Sequence, residues 1–275
     1  MQAARSDAVM ESGLSATRLG EGVNWIGVTT LYRREVQRFL AVAAQTVGGP
    51  VVSTLLFLAV FGVALGRHAP APGGVPYLVF VTPGLVMMAM LQNAYANTSS
   101  SLLVAKVQGN IVDLLLAPLG PGEFLTGMAL GGVTRGILVG ALTALAAALF
   151  VPLPLANLAL CLFYAVGGSL LFALLGVLGG LWAQKMDHQA AVTNFIIAPL
   201  TLLSGTFYAV STLSEPFRSI AYADPVFYIV DGFRHGITGH SEASPLAGIL
   251  VVLVANGLLG VLCHRLLASG WRLRQ

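Results

Sequence analysis

The stretch ANLALCLFYAVGGSLLFALLGVLGGLWA, residues 156–183, contains no acidic or basic side chain. An α-helix rises about 1.5 Å per residue, so about 20 apolar residues are enough to cross the roughly 30 Å hydrocarbon core of a bilayer. Segments of similar length and composition lie on both sides of this stretch. The sequence therefore predicts six membrane spans, at residues 44–66, 76–96, 124–150, 156–183, 190–210 and 246–268.

The overall composition agrees with a membrane protein. The chain has 275 residues, of which 56% are hydrophobic and 9% are charged, whereas soluble domains are about 25% charged. We expect an all-α polytopic protein with one transmembrane domain at residues 24–270. A flexible tail at residues 1–23 and a short cytoplasmic tail at residues 271–275 flank it.

The basic residues predict the orientation of the chain. If the N-terminus is cytoplasmic, most of the 14 Lys and Arg residues lie on the cytoplasmic side, as in membrane proteins generally. Only Arg67, Arg218 and Arg234 then lie outside, and Arg135 lies within the third span. An even number of spans returns the C-terminus to the cytoplasm. This distribution reports orientation and does not indicate nucleic-acid binding.

The segment before the first span has the pattern of an amphipathic helix. Within residues 24–40, apolar side chains recur at steps of three and four and so share one helical face. These are Trp25, Val28, Tyr32, Val36 and Phe39. Such a helix lies flat at a membrane surface, although the segment could instead be a cytoplasmic extension of the first span.

Two of the breaks between spans are too apolar for free loops. The break at residues 97–123 contains several leucines, which indicates a short helix docked on a protein partner or packed on its own bundle. The stretch at residues 211–222 is weakly amphipathic and too short and polar to span. We expect short re-entrant outer helices there, before the last span.

Arg135 is the one strong charge predicted inside a span. A charge within a bilayer is costly and usually faces the bundle interior, water or a partner. Because it falls in the first half of the third span, its side chain could instead extend to the inner membrane surface. The sequence leaves both alternatives open.

Several chemistries are missing from the sequence. The two lysines, Lys106 and Lys185, do not follow glycine, so a phosphate-binding Walker A loop is excluded. The five histidines lack metal-ligand spacing, and we expect no metal site. The spans lack carboxylates, which disfavours an ion-coupled carrier. That carrier and a membrane-embedded lipid-modifying enzyme remain the alternatives to a transport subunit driven by another chain.

Several motifs together resemble a known family. The run at residues 77–88, the NAYAN sequence at residues 93–97 and the IVDLLLAPL sequence at residues 111–119 are similar to those of ABC-2 type permeases. So are three later motifs, PLTLLSGTFY at 199–208, DPVFY at 224–228 and DGFRHG at 231–236. Their order resembles the group of bacterial inner-membrane permeases typified by NodJ and YadH.

The resemblance implies a subunit of an ATP-binding-cassette exporter rather than an enzyme. It implies two separate ATPase subunits that bind ATP and Mg, a second copy of the permease and surrounding lipids as partners, and no cofactor on this chain. The expected substrate is a lipid, a drug-like molecule or a lipid-linked glycan, moved out across the inner membrane. A coupling helix is expected at residues 99–118.

The resemblance also implies roles for individual residues. Residues expected to transmit motion from the ATPase are Lys106, Gly109, Asn110, Asp113, Leu114, Arg33 and Arg34. Residues expected to line the substrate pathway, where the second and fifth spans meet, are Met87, Met88, Met90, Gln92, Asn93, Asn97, Asn194, Thr201 and Phe207. An outer gate is expected at Ser204, Gly205, Tyr208, Asp224, Pro225, Asp231 and Arg234. Ordinary packing or lipid contact remains the alternative for each pathway residue.

Overall fold

The computed structural model describes residues 22–64 and 74–272. Within these ranges the chain is helical and contains no strand, which confirms the all-α prediction. The expected N-terminal tail lies outside the described residues except for its last two positions, and so do residues 273–275 of the C-terminal tail.

Eleven α-helices form the described part of the chain. They are α1 Trp25–Leu40, α2 Gly49–Ala64, α3 Tyr77–Val107, α4 Ile111–Leu116, α5 Pro121–Ala148, α6 Leu158–Trp182, α7 Met186–Val192, α8 Ala198–Leu203, α9 Phe217–Ala223, α10 Pro225–Thr238 and α11 Pro245–Ala268. The π-helical segment Ala44–Gly48 leads into α2, and a second one, Thr193–Ile197, joins α7 to α8.

Five helical segments of the described residues are long and apolar enough to cross a membrane. They are α2 with its π-helical segment, α3, α5, α6 and α11, and they match five of the six predicted spans. The fifth predicted span, residues 190–210, overlaps the run α7, Thr193–Ile197 and α8, which changes from α to π geometry in its middle and is more polar. The sixth crossing therefore stays a prediction.

Helix α3 extends further than the sequence pattern predicted. It continues to Val107, because no glycine or proline interrupts residues 99–107, and the chain leaves the helix at Gly109 with a φ of 76°. Glycine adopts this left-handed conformation without a steric penalty. Of the expected coupling segment, residues 99–118, only α4 is thus a separate short helix.

Helix α3 is the central element of the bundle and packs against α5, α6 and α10. Glycines allow the close approach, as Gly136 of α5 shows. A Cβ atom added there would lie 3.0 Å from the backbone oxygen of Met90 in α3. Small residues at helix crossings are the usual way for membrane helices to pack closely.

Helix α1 packs along α5, with a face that differs from the predicted stripe. Val28 and Phe39 are buried as expected, but Leu31 and Glu35 are buried with them, while Trp25 is 65% exposed. The sequence pattern was therefore wrong about part of this face. A buried glutamate is invisible to a hydrophobicity pattern, and its partners in the structure explain why it is tolerated.

Two short helices, α9 and α10, precede the last span, and their re-entrant outer placement stays a prediction. Helix α9 exposes Phe217 and Ile220, whereas α10 inserts between α3, α6 and α11 and buries most of its length. A side-chain oxygen of Asp224 accepts a hydrogen bond from the backbone nitrogen of Val226, 2.8 Å away, and so caps the start of α10.

Candidate functional site

Helix α4 projects from one end of the bundle and is anchored by two of its side chains. Ile111 and Leu114 are buried in a cluster that includes Leu31 of α1 and Phe124 of α5. Asp113 lies on the exposed side with Val112 and Leu116, which are 55% and 74% exposed. The helix thus presents a small apolar surface with one negative charge, and this surface faces away from the bundle.

The structure separates the predicted coupling residues into two groups. Gly109, Asn110 and Asp113 are exposed in or beside α4, and Arg33 and Arg34 are exposed on α1. Lys106 and Leu114 instead face inward. Sequence reasoning missed Val112 and Leu116, because an apolar run such as residues 111–119 does not show which of its side chains face away from the bundle.

The inward direction of Lys106 has a structural reason. Its Nζ donates hydrogen bonds to the backbone oxygens of Gly180 and Leu181, at 2.9 and 2.5 Å. These carbonyls belong to the last turn of α6, where a positive charge is favourable and helical carbonyls lack intrahelical partners. Arg272 reaches the same helix end, 2.7 Å from the backbone oxygen of Trp182. Lys106 therefore fixes the ends of α3 and α6 to each other.

The N-terminal end of α1 is tied to the segment that follows α4. The backbone nitrogen of Asn24 donates to Glu123 Oε1 at 2.6 Å, and its side-chain nitrogen donates to the backbone oxygen of Pro118 at 3.0 Å. Glu123 Oε2 also accepts from the backbone nitrogen of Gly120 at 2.7 Å. These hydrogen bonds therefore join the connection after α4 to the start of α1.

A buried charged cluster joins the other end of α1 to α3. Glu35 is fully buried, and its carboxylate accepts hydrogen bonds from Arg38 at 3.0 Å and from Ser101 Oγ at 2.7 Å. Arg38 also donates to the backbone oxygen of Asn97 at 2.7 Å. Gly131 of α5 makes room, because a Cβ atom there would lie 2.6 Å from Cβ of Glu35.

The expected pathway residues do not form one surface. Met88, Gln92 and Asn93 line a cavity of about 350 Å³ between α2 and α3. Thr201 lies behind Gln92, whose Nε2 donates to Thr201 Oγ1 at 3.0 Å. Met87 and Met90 are buried in the bundle core.

The other pathway residues lie elsewhere. Asn97 belongs to the Arg38 cluster, and Asn194 is exposed in the segment between α7 and α8. The ring of Phe207 packs against Phe61, with 5.0 Å between centroids. The cavity wall on the α2 side, which includes Ser53 and Thr54, was not predicted, because α2 reads as a uniformly apolar span.

The expected outer-gate residues are brought together around α10. Arg234 is 1% exposed, donates to the backbone oxygens of Phe80 at 3.0 Å and Gly205 at 2.6 Å, and stacks over the Phe80 ring. Asp231 lies 4.0 Å from its guanidinium. The side chain of Asp231 accepts hydrogen bonds from the segment before α11, including those from the backbone nitrogens of Glu242 and Ala243.

Hydrogen bonds also hold the other expected outer-gate residues in place. Ser204 Oγ donates to the side chain of Asp224 at 2.9 Å, and Pro225 begins α10 directly after it. The Tyr208 hydroxyl donates to the backbone oxygen of Leu203 at 2.9 Å. The hydrogen bonds of Arg234 and Asp224 join α10 to the start of α3 and to the residues after α8. Within the described residues, no group of His, Cys, Asp and Glu could hold a metal ion.

Known proteins resemble this chain over most of its length. A family model described as ABC-2 type transporter matches residues 27–238. The chain is 34% identical over 253 residues to the inner membrane transport permease YadH of Escherichia coli K12, covering 91% of this chain and 98% of that protein. It is 28% identical over 233 residues to nodulation protein J of Rhizobium leguminosarum bv. trifolii, covering 83% and 87%.

Proposed function

Because this chain belongs to the ABC-2 type transporter family, and is thus a multi-pass inner-membrane permease subunit of an ABC system, we propose that it is the membrane subunit of an exporter. A separate ATPase subunit binds ATP and Mg and hydrolyses the ATP, and this chain carries the route for the substrate. A lipid, a drug-like molecule or a lipid-linked glycan is moved outward. Both termini lie in the cytoplasm.

The observation that carries this proposal is the exposed face of α4. An isolated helix of six residues has little stability of its own, so the buried contacts of Ile111 and Leu114 hold it in place. The apolar side chains of Val112 and Leu116 remain uncovered, with Asp113 between them. Such a patch fits a groove on a partner protein, and we assign it to the ATPase.

The contacts around α4 supply a path for its motion. Its C-terminal connection, Pro118 to Glu123, is bonded to Asn24 at the start of α1. The other end of α1 is bonded through Glu35 and Arg38 to α3, and α3 lines the interior cavity. We propose that α1 transmits the movement of α4 to α3 in this way.

Two copies of the permease complete the proposed transporter. The run from α7 to α8 exposes Asn194, Phe195 and Ile196 on one side, which suits contact with a second copy. The expected outer gate around Arg234 closes the opposite end of the route from α4. Two ATPase subunits then match the two copies of α4.

Co-purification and ATPase assays of α4 variants test the proposal. Val112→Asp places a charge in the apolar contact, and Asp113→Arg reverses its charge. Truncating a hot-spot residue at the centre of an interface costs about 2 kcal/mol or more. We therefore expect each variant to co-purify with at least about tenfold less ATPase subunit than the wild type. Both side chains are exposed, so the permease itself still folds and inserts.

Glu215→Arg is the matched control. Glu215 is exposed in the segment between α8 and α9, which lies at the outer surface in the proposed orientation. This variant should retain the ATPase at the wild-type level. A permease that purifies without any ATPase from its own host, or that binds the ATPase equally well after both α4 substitutions, contradicts the proposal.

A further inference from the structure

The cavity between α2 and α3 has a polar wall. It has a volume of about 350 Å³ and lies beside the first residues of α2 and the middle of α3. Ser53 and Thr54 contribute hydroxyl groups from one side, and Gln92 and Asn93 contribute amides from the other. Polar groups at this depth of a membrane bundle are uncommon unless they meet a partner or a ligand.

Arg135 of α5 reaches this wall from behind. Its side chain is 9% exposed, and its Nη2 donates to Asn93 Oδ1 at 2.9 Å. The Asn93 amide nitrogen donates to the backbone oxygen of Ala89 at 2.9 Å, which turns Oδ1 toward the guanidinium. Arg135 lies about 21 Å along α5 from Pro121, at a rise of about 1.5 Å per residue. Arg135 therefore faces the bundle interior and does not extend to the membrane surface.

The charge of Arg135 has no counter-ion in the described residues. The ion pairs found there join Arg38, Arg218 and Arg234 to carboxylates, and none includes Arg135. Its Nε has no hydrogen-bond partner in the same part of the chain. A buried charge without a partner is strongly unfavourable.

We infer that the polar wall at Asn93, with the Arg135 guanidinium directly behind it, is a site for an anionic group, a phosphate or a carboxylate, carried by a molecule that enters the cavity. This inference rests on the proposed function and narrows its substrate class. A guanidinium with one nitrogen engaged keeps free donors in the planar arrangement that carboxylate and phosphate oxygens accept. The anion supplies the missing counter-charge, and Ser53, Thr54 and Gln92 offer further hydrogen bonds.

Equilibrium binding to the purified permease in phosphatidylcholine nanodiscs tests this site. The probes are a fluorescent phosphatidic acid and a diacylglycerol with the same label and acyl chains, which lacks the phosphate. A charge-assisted hydrogen bond contributes about 1.5–3 kcal/mol, so we expect wild-type protein to bind phosphatidic acid at least about tenfold more tightly. Inorganic phosphate is added as a competitor.

The variants distinguish the site from general attraction to the protein's positive charge. Arg135→Met should abolish the preference for phosphatidic acid, and Asn93→Ala should weaken it. Arg135→Lys keeps the charge without the planar donors and should retain part of the preference. Arg265→Met, on the exposed side of α11, removes the same charge and should retain all of it. Gel filtration and thermal unfolding establish that each variant is folded.

The outcomes separate this inference from the proposed function, because the binding assay needs no ATPase. Competition by inorganic phosphate would show that the free anion is sufficient, and its failure would show that the lipid-borne group is required; both support the site. Equal binding of the two labelled lipids by wild-type protein overturns it. So does a full phosphatidic acid preference in folded Arg135→Met.

Discussion

Helices α3 and α11 are both long enough to cross a membrane, but they lie in opposite environments. Of the most apolar part of α3, 83% is buried within the bundle, whereas 17% of the corresponding part of α11 is buried. Helix α3 contains Asn93, Asn97 and a run of hydroxyl residues, while α11 is mostly leucine, valine and glycine. The more polar helix is thus the more deeply buried one.

The different burial of the two helices follows from the lipid that surrounds a membrane protein. Lipid tails are as apolar as leucine, so an apolar side chain gains little by moving from lipid into the bundle. Close packing and polar contacts instead determine which helices associate. Helix α3 offers both, through contacts such as Thr98 Oγ1 with the backbone oxygen of Ala173 at 2.7 Å. Helix α11 is left to cover its exposed face with lipid or with a second chain.

The largest effect is expected from a matched pair of leucines. Leu91 of α3 is fully buried, and Leu258 of α11 is 68% exposed. Leu91→Ala leaves a cavity in the packed bundle and should lower the free energy of unfolding by about 2–5 kcal/mol. Leu258→Ala should change it by less than about 0.5 kcal/mol, as exposed positions usually do.

Thermal or denaturant unfolding of both variants in the same nanodiscs provides the measurement. If the two substitutions destabilise the protein equally, α3 is not the packed centre of the bundle. Since both variants lose the same atoms, the detergent or lipid background cancels from the comparison.

Two glycines sharpen the comparison at the level of helix contact. A Cβ atom at Gly136 would lie 3.0 Å from the Met90 backbone oxygen, whereas one at Gly257 of α11 would meet no atom within 4 Å. Gly136→Ala should therefore destabilise the fold by about 1–3 kcal/mol through overpacking. Gly257→Ala should be neutral or stabilising, because alanine is the better helix former. Destabilisation by Gly257→Ala instead would indicate that α11 is covered by another chain.

The smallest of the stability effects concerns two ion pairs with the same spacing. Glu35 and Arg38 form a pair with side chains 0% and 31% exposed, and Glu215 and Arg218 form one with side chains 52% and 43% exposed. A double-mutant cycle should give a coupling energy of about 1–2 kcal/mol for the buried pair. For the exposed pair, we expect a coupling near the detection limit. Equal values would contradict the view that burial strengthens the Glu35–Arg38 pair.

The sequence was sufficient to predict the helical class and five of the spans, because length and apolar composition determine both. It was less informative where burial depends on partners. Glu35 lies outside the predicted apolar stripe, and only its hydrogen bonds with Arg38 on the same helix and with Ser101 of α3 explain its burial. The end of α3 was placed too early, because the polar residues from Asn97 onward looked like a break, although Ser99 and Ser101 lie on buried helix faces.

The candidate site shows the same limit. The motif that predicted the coupling segment was sufficient to locate α4, but the inward direction of Lys106 depends on the end of α6. The family motif indicated Gln92 and Asn93 as pathway residues. It could not reveal that Asn93 is hydrogen-bonded to Arg135, since these residues are 42 positions apart in the chain.

The central claim is that a separate ATPase moves this permease through α4. Photo-crosslinking tests this claim most directly. A photoreactive amino acid replaces Val112 in the intact transporter, and in a second sample it replaces Leu246 at the opposite end of the fold, where the side chain is also exposed. The account predicts a crosslinked ATPase subunit from position 112 and none from position 246. No ATPase adduct at position 112, or equal adducts at both positions, would contradict it.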